Sequence, residues 1–248
     1  MNRKVILVLL AAAVCFPSMA RKKTFDPMNT VGIKYLDQSF KTYDTIQKHI
    51  HDYAEPGFLE YKSSAELARH LEENGFEVQM GVAGIPTAFV ASFGSGKPVI
   101  GLLGEFDALP GMSQDTTEVN SPLVEGAAGH ACGHNLLGTA PAAAAVAISK
   151  WLAEGHEGTI KYFGCPAEEG GGAKNYMVRD GVFDGLDAVF IWHPSENNGT
   201  NLITGCACMS LNITFKGKSA HAGASPWKGR SAFDAVEALD YMMNLMRE

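Results

Sequence analysis

Positive charge is sparse in this 248-residue chain, where 20 lysines and arginines stand against 27 aspartates and glutamates. After Arg21-Lys22-Lys23 no basic cluster recurs, so the electrostatic footprint that a phosphate backbone demands is missing and nucleic acid is excluded as a partner. Long hydrophobic runs are scarce too. The apolar stretch from Val5 to Cys15 is too short to span a bilayer. With Arg3-Lys4 ahead of it and Ser18-Met19-Ala20 behind, it reads as a signal peptide over residues 1–20, cleaved after Ala20, with an uncleaved anchor as the alternative. Val14 is too bulky for a lipid-modified Cys15. Cleavage predicts an exported protein, periplasmic or secreted, without stable membrane insertion. Cysteine is also limited: four of the five lie beyond residue 20, at spacings unlike a small disulfide scaffold. Cys132 reads as a ligand, and Cys165, Cys206 and Cys208 as buried thiols, since Cys206 and Cys208 on one face of a strand make poor disulfide geometry.

What the chain does contain is a globular composition, 46% hydrophobic and 19% charged, and an alternation of helix and strand. Helices are expected over residues 30–53, closed by Glu55-Pro56-Gly57, over 63–73, ended by Gly75, over 136–153, over 174–179, and over an amphipathic stretch from Ala232 to Met246. Strands are expected at 77–80, 87–93, 98–104, 159–164 and 188–192. Near-continuous apolar strands between helices predict an α/β fold with a largely parallel sheet covered on both faces. Ligands in such folds bind where strands end, and the strand ends carry the chemistry. Residues 98–104 deliver Glu105-Phe106-Asp107, residues 159–164 deliver Glu168-Glu169, and residues 188–192 deliver His193.

Gly129-His130-Ala131-Cys132-Gly133-His134-Asn135 places a thiolate and an imidazole two residues apart in a glycine-flexed segment. Taken alone such a pair is more often incidental than a ligand pair; as ligands, Cys132 and His134 suit zinc, manganese or cobalt, with sulfur favouring zinc. Asp107 is either a carboxylate that orients a ligand imidazole or a turn residue ahead of Leu109-Pro110-Gly111. Adjacent carboxylates on extended backbone point apart, so in Glu168-Glu169 one can bind metal while the other acts as a general base on water. Gly170-Gly171-Gly172 directly after them is more than a solvated cap requires.

Five ordered segments carry a resemblance: Gly104 to Gln114, Gly129 to Thr139, Pro166 to Ala173, Trp192-His193-Pro194, and Gly217 to Pro226. Together they resemble the dinuclear metallopeptidase and amidohydrolase family of aminoacylases, carboxypeptidase G and plant auxin-amide hydrolases, over about Thr30 to the last residue. The resemblance implies a three-layer αβα catalytic domain over 21–205, with a lid or dimerisation domain of α+β type beginning at 206 and running through 248. It implies two divalent metal ions, with Cys132 as bridging ligand, His134, Glu169 and His193 as terminal ligands, and Glu168 as general base. It also implies that His221 reaches across a homodimer, or a hetero-oligomer formed through the lid, to stabilise the oxyanion. The implied substrates are small N-acyl or N-aroyl amino acids or dipeptides. Two departures stand out: Glu105 occupies a position where the auxin-hydrolase branch carries Asp, and the chain reaches Arg247-Glu248 without the family's final His ligand. The expectation is an amino-terminal half. A non-catalytic metal-binding or oligomerisation protein derived from this fold is the alternative.

Overall fold

The computed structural model describes Asp26 and residues 29–197, 199–200 and 209–247. The signal peptide expected at 1–20, the boundary expected at 205/206, and Cys206 and Cys208 lie outside the described residues. The chain divides into two compact units, one through Pro194 and one from Ser195.

In the first unit, α1 (Val31–Tyr53) starts where the Thr30 hydroxyl accepts from the Ile33 amide, and it stops at Ala54, whose left-handed backbone turns its N–H onto the Ile50 carbonyl. Helix α2 (Tyr61–Glu73) follows, its first amides capped by the Glu55 carboxylate, which accepts from Lys62 N and Ser63 N. Then come β1 (Glu77–Met80), β2 (Phe89–Ser95), β3 (Val99–Gly104), α3 (His134–Leu152), β4 (Gly158–Gly164), α4 (Ala173–Arg179) and β5 (Ala188–Phe190).

The five strands form one sheet in the order β1-β2-β4-β3-β5. It is mixed rather than largely parallel: β4–β3 and β3–β5 are parallel, while β1–β2 and β2–β4 run antiparallel. The reason lies in the links. A parallel pair needs a long crossover, and helices provide one on either side of β4, whereas the few residues between β2 and β3 can only reverse the chain.

Strand residues alternate between two cores. Phe89, Ala91, Leu102, Ile160 and Tyr162 pack with Ile50, Leu67, Leu71 and Val146 from α1, α2 and α3. Val90 and Phe163 pack with Cys165, Ala173 and Met177 on the α4 face. Helices therefore lie on both faces of the sheet. Helix α3 comes close at Gly138, where a methyl group would sit 2.7 Å from the Glu105 carbonyl oxygen, and where Tyr162 Oη donates to the Gly138 carbonyl. Gly138→Ala is expected to force α3 off the sheet at a cost of about 1–3 kcal/mol, read as a lowered midpoint in urea unfolding. An unchanged midpoint would contradict this packing.

The second unit holds the bridge between Lys218 and Arg230 and helix α5 (Ala232–Leu245), capped by Ser231, whose hydroxyl accepts from Asp234 N. Phe233, Tyr241 and Met246 at α5 are exposed. Among the described residues, Cys132 and Cys165 are free thiols, and no helix is long and apolar enough to cross a membrane.

Candidate metal centre

Three chain segments that leave parallel strands, together with the start of α3, converge at one end of the sheet. Past β3, Glu105 and Asp107 are both almost wholly buried. Past β4 come Glu168 and Glu169, and past the end of β5 at Phe190 comes His193. Gly133, with left-handed backbone, turns the chain into α3, so that His134 is its first residue.

His134 is 1% exposed. Its Nδ1 lies 2.9 Å from Asp107 Oδ1 and 3.0 Å from the Asp107 carbonyl oxygen, and both can only accept, so Nδ1 carries the proton. Nε2 therefore presents a lone pair whenever the ring is neutral. It points among carboxylates: Glu105 Oε2 at 3.4 Å, Glu169 Oε1 at 3.7 Å and Glu168 Oε2 at 3.8 Å. Neither Nε2 nor the buried Glu169 Oε1 has a hydrogen-bond partner. Donor atoms of Cys132, His134 and Glu169 lie within 4.8 Å of one another, as do those of Glu105, His134 and Glu168. Cys132 Sγ is also 3.3 Å from His193 Nε2, and His193 Nδ1 donates to the Pro194 carbonyl.

The electrostatics point the same way. Burial, then the charges of Glu169, Glu168 and Glu105, push the Cys132 thiol up to about 11. Burial opposes charge on His134, but Asp107, Glu105 and Glu169 outweigh it and raise its pKa. The Glu168 carboxyl is raised, first by burial and next by Glu105, against the pull of Lys174. Burial alone would raise Asp107 as well; hydrogen bonds from His134 and from the Glu169 and Glu168 amides bring it below the usual carboxylate range. Anionic and lone-pair donors crowded together, two of them buried without partners, fit a divalent cation, which would satisfy those atoms and favour the thiolate.

The structure thus brings together Cys132, His134, Glu168, Glu169, His193 and Asp107. His221 sits in the second unit, its Nδ1 accepting from Gly223 N and Ala224 N at 3.1 Å each. Two further residues of the cluster carry no role in the sequence reading. Glu105 faces His134, and Lys174, in the first turn of α4, forms a hydrogen-bonded ion pair with it. Glu105 could have been found from its spacing, since residues two apart on extended backbone share a face with each other, as Glu105 does with Asp107.

Comparison with known proteins identifies the family. Residues 101–239 match peptidase family M20/M25/M40. The chain is 48% identical over 221 residues to one of the subunits of p-aminobenzoyl-glutamate hydrolase from Escherichia coli K12, covering 87% of this chain and 46% of that protein. A solved dinuclear metal-binding peptidase of the M20 family from Bacillus subtilis is 26% identical with a TM-score of 0.52, over 64% of this chain and 44% of that one. A solved protein from methicillin-resistant Staphylococcus aureus shares the fold with a TM-score of 0.61 at 24% identity, over 87% of this chain and 57% of that one. The chain spans about half the length of the curated relatives it matches.

Proposed function

The chain belongs to peptidase family M20/M25/M40, and from that membership we propose that it hydrolyses the amide bond of small N-acyl or N-aroyl amino acids or dipeptides. A p-aminobenzoyl-glutamate-like substrate is favoured by the 48% identity to the hydrolase chain named for that compound. The observation that carries the reading is the pair of buried, partnerless atoms, His134 Nε2 and Glu169 Oε1, facing Cys132 beside a second carboxylate, Glu168.

In this reading Cys132, His134, Glu169 and His193 hold two divalent ions, zinc, manganese or cobalt. Such ions, when bound, supply Lewis acidity that polarises an amide carbonyl and acidifies water. The chain's own residues do the rest. Asp107 fixes the His134 tautomer through Nδ1 and holds the Glu169 amide with its other oxygen, at 3.0 Å. Glu168 is the more exposed of the two glutamates (42% against 21% for the side chain) and is assigned as the general base. It takes a proton from water as the water oxygen bonds to the carbonyl carbon, then delivers that proton to the amine nitrogen as the carbon–nitrogen bond breaks. His221 is assigned to oxyanion stabilisation from a neighbouring protomer, its Nδ1 being engaged by backbone amides so that Nε2 is the nitrogen left to act.

The test uses purified protein, a panel of N-acyl amino acids, p-aminobenzoyl-glutamate and dipeptides, and metal analysis. Turnover is expected to vanish on exhaustive chelation and to return with zinc, manganese or cobalt. Turnover that survives complete metal removal would refute the proposal. Stoichiometric metal with no turnover on any substrate would leave a metal-binding protein instead.

A further inference from the structure

We propose that Glu60 is a positioning residue that holds the backbone turn presenting Glu168. This rests on the reading of Glu168 as general base. Glu60 precedes α2, 0% exposed, far along the chain from the strand-end acids. Its carboxylate is held by neutral donors: Oε1 accepts from Ala167 N at 2.8 Å, and Oε2 accepts from Thr87 Oγ1 at 3.0 Å. A carboxylate wholly removed from water is costly unless its hydrogen bonds are worth keeping, and an apolar side chain of similar size would avoid that cost. What it secures is Ala167, whose backbone adopts φ 53, a left-handed conformation disfavoured for any residue with a Cβ.

Ala167 is the pivot of the acidic turn. Pro166 before it has no N–H, and Cys165 N already donates to the Gly104 carbonyl, so Ala167 N is the next donor after β4 and lies beyond the sheet ladder. The carbonyl of Ala167 accepts from both Gly171 N at 3.1 Å and Gly172 N at 2.7 Å. Glu168, Glu169 and Gly170 are thereby enclosed in a loop whose first residue Glu60 anchors. The same segment braces the turn sterically. A methyl group on Gly57 would sit 2.9 Å from the Ala167 methyl, and one on Gly171 would sit 2.3 Å from the Phe58 ring, so residues 57–60 lie directly against the loop. Asp107 supplies a second anchor, accepting from Glu169 N at 3.0 Å, and the Glu168 amide acts on the same carboxylate more weakly. Releasing Ala167 should therefore displace Glu168 more than Glu169.

The experiment compares Glu60→Met, which removes the acceptor, with Glu60→Gln, whose amide can still accept from Ala167 N and donate to Thr87 Oγ1. Four quantities are read in the folded proteins: kcat and KM for the best substrate, bound metal, and hydrogen exchange in the peptide spanning residues 165–172. Because misplacement by about 1 Å costs on the order of 10²-fold, Glu60→Met should lower kcat roughly 10- to 100-fold. KM and metal content should change little, and exchange in the turn should rise. Glu60→Gln should restore both kcat and slow exchange. If Glu60→Met does not fold, Glu60→Asp, a methylene short of Ala167 N, replaces it with the same expected contrast. Wild-type kcat and exchange in a folded Met or Asp variant would overturn the proposal, as would equal loss in Glu60→Gln or metal loss in step with kcat. Should the wild-type protein itself hydrolyse nothing, the proposed function fails, while the exchange contrast still decides whether Glu60 holds the turn.

Discussion

Glu168→Ala is expected to remove nearly all amide hydrolysis while leaving the bound metal nearly unchanged, and Glu169→Ala is expected to lose the metal. Distance alone does not separate the two residues, since their nearest oxygens lie 3.8 and 3.7 Å from His134 Nε2. Surroundings do. Glu169 has a buried oxygen without a hydrogen-bond partner and shares a donor cluster with Cys132 and His134, the position of an ion-binding carboxylate. Glu168 is twice as exposed, as a group that must meet water and substrate requires. A general base contributes roughly 10²–10⁴-fold, so turnover in Glu168→Ala should fall by about 10³-fold with metal retained. Removing a ligand acts on ion affinity first and on turnover through it. Metal analysis and kcat on the same preparations decide the matter, and equal metal loss in both variants would sink the division of roles.

Asp107→Ala should produce the second large effect, a drop of about 10- to 100-fold or more in metal affinity, although Asp107 is not itself assigned as a ligand. One oxygen accepts from His134 Nδ1 and the other from Glu169 N, so a single carboxylate orients two of the proposed ligands. Asp107→Asn is expected to fall between, because its oxygen can serve one partner while its NH₂ group confronts the other donor. Competition with a chromophoric chelator measures this, and wild-type affinity in Asp107→Ala would show that the ligands orient themselves. The same residue gives a pH signature in metal-free protein. Its folded pKa lies below the usual value, so its contribution to stability is present above the unfolded pKa of about 3.9 and is lost as pH falls through the folded one. Urea midpoints of wild type and Asp107→Ala should differ at neutral pH and converge in acid.

Much of this was legible in the sequence because periodicity and punctuation are local. Helix α1 begins one residue after the expected 30, α3 begins at His134 rather than 136, and strand ends at Gly104 and Gly164 fall where the apolar runs stop. Strand direction was not legible, because an apolar run looks alike whichever way its neighbours point; the short link between β2 and β3 is what makes β2 antiparallel to β4. Strand β2 also begins at Phe89 rather than Thr87, since the Thr87 hydroxyl goes to Glu60 and Ala88 bonds back to the turn at 81–85. The residues of the candidate metal cluster could be picked out because their types are distinctive. Glu60 could not, since a glutamate ahead of a helix normally faces water, and only the tertiary fold places Ala167 N against it.

The donors also differ in how firmly the fold carries them. His134 begins a nineteen-residue helix and is buried, and Glu169 is tied through its amide to Asp107. His193 is exposed and trails a three-residue strand that, among the described residues, is paired on one side. Residues with so few neighbours open at a small fraction of the free energy that opens the core. On the proposed assignment the ion is captured by a rigid framework and sealed by a soft latch. How long it stays bound would then be governed largely by the opening rate of that edge rather than by the buried framework.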